Sequence, residues 1–299
     1  MKDYTVTRKR SFLGTVCSHF IRILRFKKRL NNDSFKQLQA YEDTKTPIIK
    51  KYPKEVIEGV PMFWINKEKS ENGVLVYLPG GGFIIGPTTL HWLYCDKLSK
   101  KLDMAVLMVR YPLAPVNPFP NGLNAIVNVI TALQKRGDLQ QQWFLGGESA
   151  GGNLALSVCY LLHQQKASLP KKLLLLYPAA NLDTNKTGPE VEDLIRKDVL
   201  LSLQFTKRVV AVYCGNRDVT DPLLSPVNGD LEILPPVLLQ HGTDDLLVLT
   251  SRELTQKMEA AGKFIQYEEY KGMFHGFVLI TKLPESKLAI RAQVKFLKA

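Results

Sequence analysis

Five residues, Gly147-Glu148-Ser149-Ala150-Gly151, fit G-x-S-x-G, the pattern that lifts a serine out of a sharp strand-to-helix turn. Glycines at 147, 151 and 152 suit so crowded a turn. Read alone, the pattern is also met by a glycine-rich turn with no chemistry, so its context has to decide. A serine hydroxyl attacks a carbonyl only when a base takes its proton and a carboxylate orients that base. Three histidines follow Ser149. His163 falls inside the helix expected after the serine and points away from the strand ends. His241 ends a strand. His275 stands in Gly272-Met273-Phe274-His275-Gly276-Phe277, a glycine-flanked loop after the last expected strand, where a base above a sheet belongs. The acid should follow the strand Pro236–Gln240, and there Asp244 and Asp245 are adjacent. Spacing does not separate them: one can accept from His275 while the other caps a helix or faces solvent.

An acyl-transfer intermediate also needs donors for its oxyanion, each worth roughly 3–4 kcal/mol. The N–H of Ala150 is one candidate, and Gly80-Gly81-Gly82 offers others on backbone that no side chain obstructs. A phosphate or dinucleotide loop is disfavoured, because no Lys-Ser/Thr follows these glycines and no G-x-G-x-x-G is present.

These residues need a scaffold that brings distant segments together. Val56 to Ile65 has strand character and reads as an opening hairpin. Val74–Leu78, Ala105–Tyr111, Trp143–Leu145 running into the serine, Lys172–Tyr177, Pro236–Gln240 and Phe264–Tyr270 read as strands. Leu90–Leu102, Asn121–Lys135, Asn153–Gln164, Leu249–Ala261 and Glu285–Lys298 read as helices, and residues 31–53 as helix and loop ending at Pro53. Residues 185–230 break the alternation, being charged, then helical over about 198–213, then proline-punctuated. Strands alternating with helices predict a mostly parallel central sheet with helices on both faces. Ligands bind such sheets at the carboxyl ends of the strands, and every candidate residue falls at such an end.

Composition is that of an ordinary globular chain: 299 residues, 45% apolar and 23% charged. Cysteines 17, 95, 159 and 214 are scattered with no C-x-x-C, and the histidines form no ligand cluster, so neither a metal site nor a cofactor is expected. With no cleavable signal peptide and no apolar run of transmembrane length, the expected setting is reducing and cytoplasmic. The net charge of +12 is concentrated at the N-terminus. There Phe12, Val16, Phe20, Ile23 and Leu24 recur at helical spacing among Arg22, Arg25, Lys27, Lys28 and Arg29. Such a basic amphipathic helix either lays its apolar face on the protein or contacts an anionic membrane surface weakly. The first is expected, because amphipathic helices mostly face their own core. Nucleic-acid binding is not expected: no stacking aromatics alternate with the basic residues and no such motif is present.

The ordered set Pro79-Gly80-Gly81-Gly82-Phe83, Tyr111-Pro112-Leu113-Ala114-Pro115, Gly147-Glu148-Ser149-Ala150-Gly151-Gly152, Asp221-Pro222-Leu223 with Ser225-Pro226, Asp245-x-Leu247 and His275-Gly276-Phe277 resembles the hormone-sensitive-lipase-like esterases of the α/β-hydrolase fold. The resemblance covers roughly residues 55–299. It implies Ser149 as nucleophile, His275 as base and Asp245 as acid, the family's aspartate being followed by x-Leu. It implies oxyanion donors at Gly81, Gly82 and Ala150, and a cap formed by about 1–50 and about 185–215 on one 1–299 domain. It further implies small-molecule esters with short or medium acyl chains as substrates, and it is compatible with a homo-oligomer. The same triad would serve amide or carbamate hydrolysis. A non-catalytic ligand receptor, as in the plant gibberellin receptors that resemble this family, lacks the catalytic histidine, and His275 argues against it. Pro79 stands where the family usually has histidine, Pro112 and Val116 where it has arginine and glutamate, and Glu148 where it has aspartate. The histidine side chain replaced by Pro79 is not an oxyanion donor, so that departure bears on substrate preference rather than on chemistry.

Overall fold

The computed structural model describes residues 4–7, 9–40, 49–139 and 142–299. Nine strands form one sheet: β1 (Thr5–Thr7), β2 (Lys54–Ile57), β3 (Val60–Ile65), β4 (Val74–Leu78), β5 (Ala105–Val109), β6 (Trp143–Glu148), β7 (Leu173–Leu176), β8 (Val237–Gly242) and β9 (Ile265–Tyr270). Their spatial order is β1-β9-β8-β7-β6-β4-β5-β3-β2. The hairpin β2–β3 and the β3–β5 pair are antiparallel, and the other pairs are parallel. The central strands are near-continuous apolar runs, VLVYL in β4 and LLLL in β7, because helices cover both of their faces. Each fully buried Leu or Val there is worth about 1.5–3 kcal/mol over exposure.

The helices are α1 (Phe12–Ile23), α2 (Phe26–Asn32), α3 (Phe35–Gln39), α4 (Thr89–Leu102), α5 (Asn121–Arg136), α6 (Ala150–Gln164), α7 (Pro189–Lys197), α8 (Leu203–Cys214), α9 (Val248–Ala260) and α10 (Pro284–Lys298). None of the described helices is long and apolar enough to cross a membrane. Register carries the functional loops to one end of the sheet. Leu78 pairs with Gly147, so the loop after β4 leaves beside the serine turn. Gly242 pairs with Tyr270, so the loops after β8 and β9 leave side by side.

The fold is the expected α/β-hydrolase arrangement, with four local differences. The edge strand β1, parallel to β9, is unforeseen, because three residues are too few to carry a period. Residues 189–197 form α7, whose charged sequence places Glu190 and Glu192 at its start and Arg196 and Lys197 at its end, as the helix dipole favours. The next helix begins at Leu203 under a Ser202 cap rather than near 198, because the Asp198 carboxylate is engaged by the N–H groups of Leu200 and Leu201.

The fourth difference is at the N-terminus, where two helices are broken by Arg25 in the left-handed region, φ 54°. Phe12, Val16, Phe20, Ile23 and Leu24 are exposed, against the expectation that this face lies on the protein. The face that does so carries Gly14 and Ser18, with Cys17 and Ile21 half-buried against the core. Small side chains win here because the helix lies close: a Cβ at Gly14 would come 3.3 Å from both the Met273 sulfur and a Glu285 oxygen. Farther on, Lys27 donates to the carbonyls of Ile195 (2.7 Å) and Asp198 (3.0 Å), and Arg208 donates to those of Leu30 and Asp33 (2.8 Å each). These bonds tie α2 to the α7–α8 segment. Residues 1–3, 8 and 41–48 of the expected cap segment, and the part of the expected 31–53 helix and loop within 41–48, lie outside the described residues.

Candidate active site

Ser149 sits between β6 and α6 with φ 55° and ψ −119°, a left-handed conformation that costs a non-glycine residue about 1–3 kcal/mol. The turn is clamped from several sides. Ser149 N–H donates to Leu176 O (3.0 Å), and Ser149 O accepts from Ala179 N–H (3.1 Å). The Asn153 amide, one turn into α6, donates to Ala179 O (2.8 Å) and Leu224 O (2.7 Å). Gly151 is required because a Cβ there would collide with the Leu78 carbonyl.

From Ser149 a hydrogen-bonded line runs inward. Its Oγ lies 3.0 Å from His275 Nε2, and His275 Nδ1 lies 2.8 Å from Asp245 Oδ2. Asp245 is fully buried and also accepts Leu247 N–H at 2.9 Å. Asp244 turns the other way, half-exposed and 3.8 Å from the Arg10 guanidinium. The structure thus brings Ser149, His275 and Asp245 together and leaves Asp244 aside.

Electrostatics follow from this enclosure. Burial opposes a charge on His275, but the Asp245 carboxylate and their hydrogen bond outweigh it and hold the imidazole above its ordinary 6.5. Burial likewise opposes ionisation of Asp245, but the hydrogen bond from His275 and the electrostatic pull of His275 and His241 keep its carboxyl well below the usual range.

Two of the neighbours were not anticipated. His241 Nε2 lies 3.0 Å from the same Asp245 oxygen, poorly aligned for a hydrogen bond, while its Nδ1 is 2.6 Å from Ser251 Oγ. Asp198 accepts the N–H groups of Leu200, Leu201 and Leu246 at 2.8 Å each. Burial, with the nearby Asp245 charge, pushes its carboxyl up to about 6.

On the other side of Ser149 lies the glycine loop. Gly81 and Gly82 have φ +123° and +61°, and Gly81 O accepts the N–H groups of Ile84 (3.1 Å) and Ile85 (2.9 Å). The curled loop leaves the N–H groups of Gly81, Gly82 and Ala150 without an acceptor among the described residues. Glu148, buried next to the serine, accepts Gly80 N–H, and His91 Nε2 lies 2.8 Å from its carboxylate. Thr88 N–H, which can only donate, bonds His91 Nδ1 at 3.0 Å. His91 therefore carries its proton on Nε2 and donates it to Glu148. Tyr111 Oη donates to Pro79 O at 2.5 Å. Sequence reading missed His91 and the clamping role of Glu148 and Tyr111. The available signal was a carboxylate directly before the serine, which in a buried strand end must find donors.

Above the two halves opens a cavity of about 1020 Å³ lined by Gly81, Ser149, His275 and apolar side chains, Leu201, Phe205 and Val209 among them. Among the described residues no group of three His, Cys, Asp or Glu could hold a metal ion. A nucleophile with an oriented base, unpaired N–H groups opposite and an apolar cavity above is what acyl transfer needs.

Residues 75–279 match a family described as alpha/beta hydrolase fold. An esterase of Acinetobacter venetianus is 31% identical over 80% of this chain and 79% of its own length. An acetyl-hydrolase of Streptomyces hygroscopicus is 30% identical over 79% of this chain and 78% of its own. The crystal structure of an esterase/lipase from an uncultured bacterium is similar with a TM-score of 0.79 and 25% identity, covering 93% of this chain and 97% of that one.

Proposed function

Because the chain belongs to the α/β-hydrolase fold family, among its hormone-sensitive-lipase-like esterases, we propose that it cleaves carboxylic esters with Ser149 as nucleophile, His275 as base and Asp245 as orienting acid. It is a carboxylesterase-type hydrolase acting on small-molecule esters, in keeping with its esterase and acetyl-hydrolase relatives. The observation that carries the assignment of roles is the unbroken line from Ser149 Oγ through His275 to Asp245, at 3.0 and 2.8 Å.

Ser149 Oγ attacks the ester carbonyl carbon as His275 Nε2 takes the hydroxyl proton. The carbonyl π electrons move to oxygen, and that oxyanion meets the N–H groups of Gly81, Gly82 and Ala150. Collapse breaks the bond to the alkoxy oxygen, which leaves as alcohol with the proton from His275. Water, deprotonated by His275, then attacks the acyl-serine and releases the acid. Asp245 stays ionised throughout, holding the imidazole in the tautomer that presents Nε2 to serine.

Short or medium acyl chains fit the apolar walls and the volume of about 1020 Å³. We read residues 1–299 as one domain whose cap comes from about 1–50 and about 185–215. The bonds from Lys27 and Arg208 support the pairing of those two segments. Four unpaired cysteines support a reducing, cytoplasmic setting.

The test is a p-nitrophenyl ester series from acetyl to dodecanoyl, run beside labelling with a fluorophosphonate probe. Turnover of the shorter esters and a single adduct on the Ser149 peptide are expected. An adduct elsewhere, or turnover that survives complete labelling, would overturn the assignment.

A further inference from the structure

Thirteen large apolar side chains are exposed among the described residues, and six of them fall within residues 12–24. Phe12 is 86% exposed, Phe20 58% and Ile23 61%, with Leu13, Val16 and Leu24 beside them. This face is not the result of a loosely placed helix. Ser11 caps α1 by accepting Gly14 N–H at 3.0 Å, and its own N–H and hydroxyl donate to the Glu285 carboxylate at 2.6 and 3.0 Å. Arg10 donates to Gly272 O at 3.0 Å, and the Gly14–Ser18 side lies on the protein. The helix is fastened by its small residues with its apolar side held outward, where it is costly unless something covers it.

Charge says what covers it. Between Asp3 and Asp33 the chain has no acid. Arg22, Arg25, Lys28 and Arg29 are exposed and form no ion pair among the described residues. A second copy of this chain would bring the same positive charge and be repelled. A bilayer with anionic headgroups meets both needs, since it takes the apolar side chains into its acyl boundary and neutralises the basic ones.

We propose that α1 and the start of α2 form a docking surface for anionic phospholipid membranes. The same segment borders the catalytic cavity, which Ile21, Phe26, Arg29 and Leu30 help to line. Docking would set that wall against the lipid and favour esters dissolved in it. That consequence for substrates rests on the esterase reading, whereas the docking does not.

The experiment is sedimentation of the full chain with vesicles of phosphatidylcholine alone or mixed with phosphatidylglycerol, on wild type and on Ser149→Ala. Both proteins should bind the phosphatidylglycerol vesicles, lose that binding as salt rises, and ignore phosphatidylcholine alone. The variant Arg22→Gln/Arg25→Gln/Lys28→Gln should bind on the order of 10²-fold more weakly, from the roughly fivefold that each basic side chain adds. Phe20→Ser/Ile23→Ser should fail to bind even at low salt. Both variants should hydrolyse a soluble acetyl ester like wild type, which shows that they are folded. Absence of binding to phosphatidylglycerol vesicles, or binding indifferent to these substitutions, refutes the surface. A dimer in solution that Phe20→Ser/Ile23→Ser converts to monomer would refute it as well, by naming a second copy as the occupant. Loss of esterase activity with vesicle binding intact would count against the proposed function alone.

Discussion

Behind Ser149 the site is a line of side chains, His275 and Asp245, whereas the polar groups facing it from the front are backbone N–H groups on the loop after β4 and at the head of α6. The two halves are supported differently. The acid–base line is held by the charges it carries, and burial strengthens each of its hydrogen bonds. The glycine loop carries no charge of its own and would adopt many shapes. Glu148 and Tyr111, on neighbouring strands and their ends, and His91, on a helix, restrict it to one. Substitutions in the first half should act on proton transfer, and those in the second on geometry.

The sharpest break comes from Ser149→Ala, which removes the group both halves serve. A kcat loss of about 10⁶-fold is expected for a triad nucleophile, with thermal unfolding little changed, because alanine keeps the same strained backbone. Burst-free progress curves and absent probe labelling would establish it; retained turnover would dissolve the comparison at its root.

Next in size is Asp245→Asn, with an expected kcat loss of about 10⁴-fold through the wrong imidazole tautomer. Asp244→Asn, half-exposed and on the far side of the loop, should stay within a few-fold of wild type, the scale of an exposed ion pair. Steady-state kinetics on one acetyl ester rank the pair, and the reverse ranking would move the acid to Asp244.

The glycine loop is tested through its supports. Glu148→Ala should lower kcat by about 10²–10³-fold, as loss of an oxyanion donor does, with KM little changed and Ser149 still slowly labelled. His91→Ala leaves Glu148 its Gly80 partner but frees the carboxylate to turn, so a smaller loss in the same direction is expected. If either variant changed KM alone, the loop would be a substrate contact and not a transition-state one.

A pH profile sharpens the contrast further. His275 must be neutral to accept the serine proton, and its environment raises its pKa above 6.5. Activity should therefore be complete at high pH and be lost as pH falls through a value above 6.5. Asp245 supplies most of that upward pull, so the residual activity of Asp245→Asn should extend to lower pH. An unmoved acid limb would show that the charge of Asp245 is not what raises His275.

The smallest effect is expected from Pro79→His. Proline lacks an N–H, yet its carbonyl is what Tyr111 holds, and that bond survives the change. KM or acyl preference should shift more than kcat on acetyl and butyryl esters. A kcat gain on the order of 10² would mean that Pro79 distorts the donors.

Much of this was legible along the chain, because much of it is local. Apolar runs such as Val74–Leu78 and Leu173–Leu176 announce buried strands by composition alone, and the elbow around Ser149 announces a strained turn by its glycines. The placing of serine, aspartate and histidine, in that order, after three strand ends needs no coordinates, since strands alternating with helices place those ends on one side. Spacing could not choose between Asp244 and Asp245, because neighbours on a loop differ only in which way the loop turns; the resemblance chose, and the packing aims Asp245 at His275. Nor could spacing pair His91 with Glu148, 57 residues apart and joined only through the fold. The same holds for α1. Its amphipathic period is written in the sequence, but a period names two faces without saying which is up. The close fit of Gly14 against Met273 and Glu285, with Ser18 buried on the same side, turned Phe12, Phe20 and Ile23 to the outside.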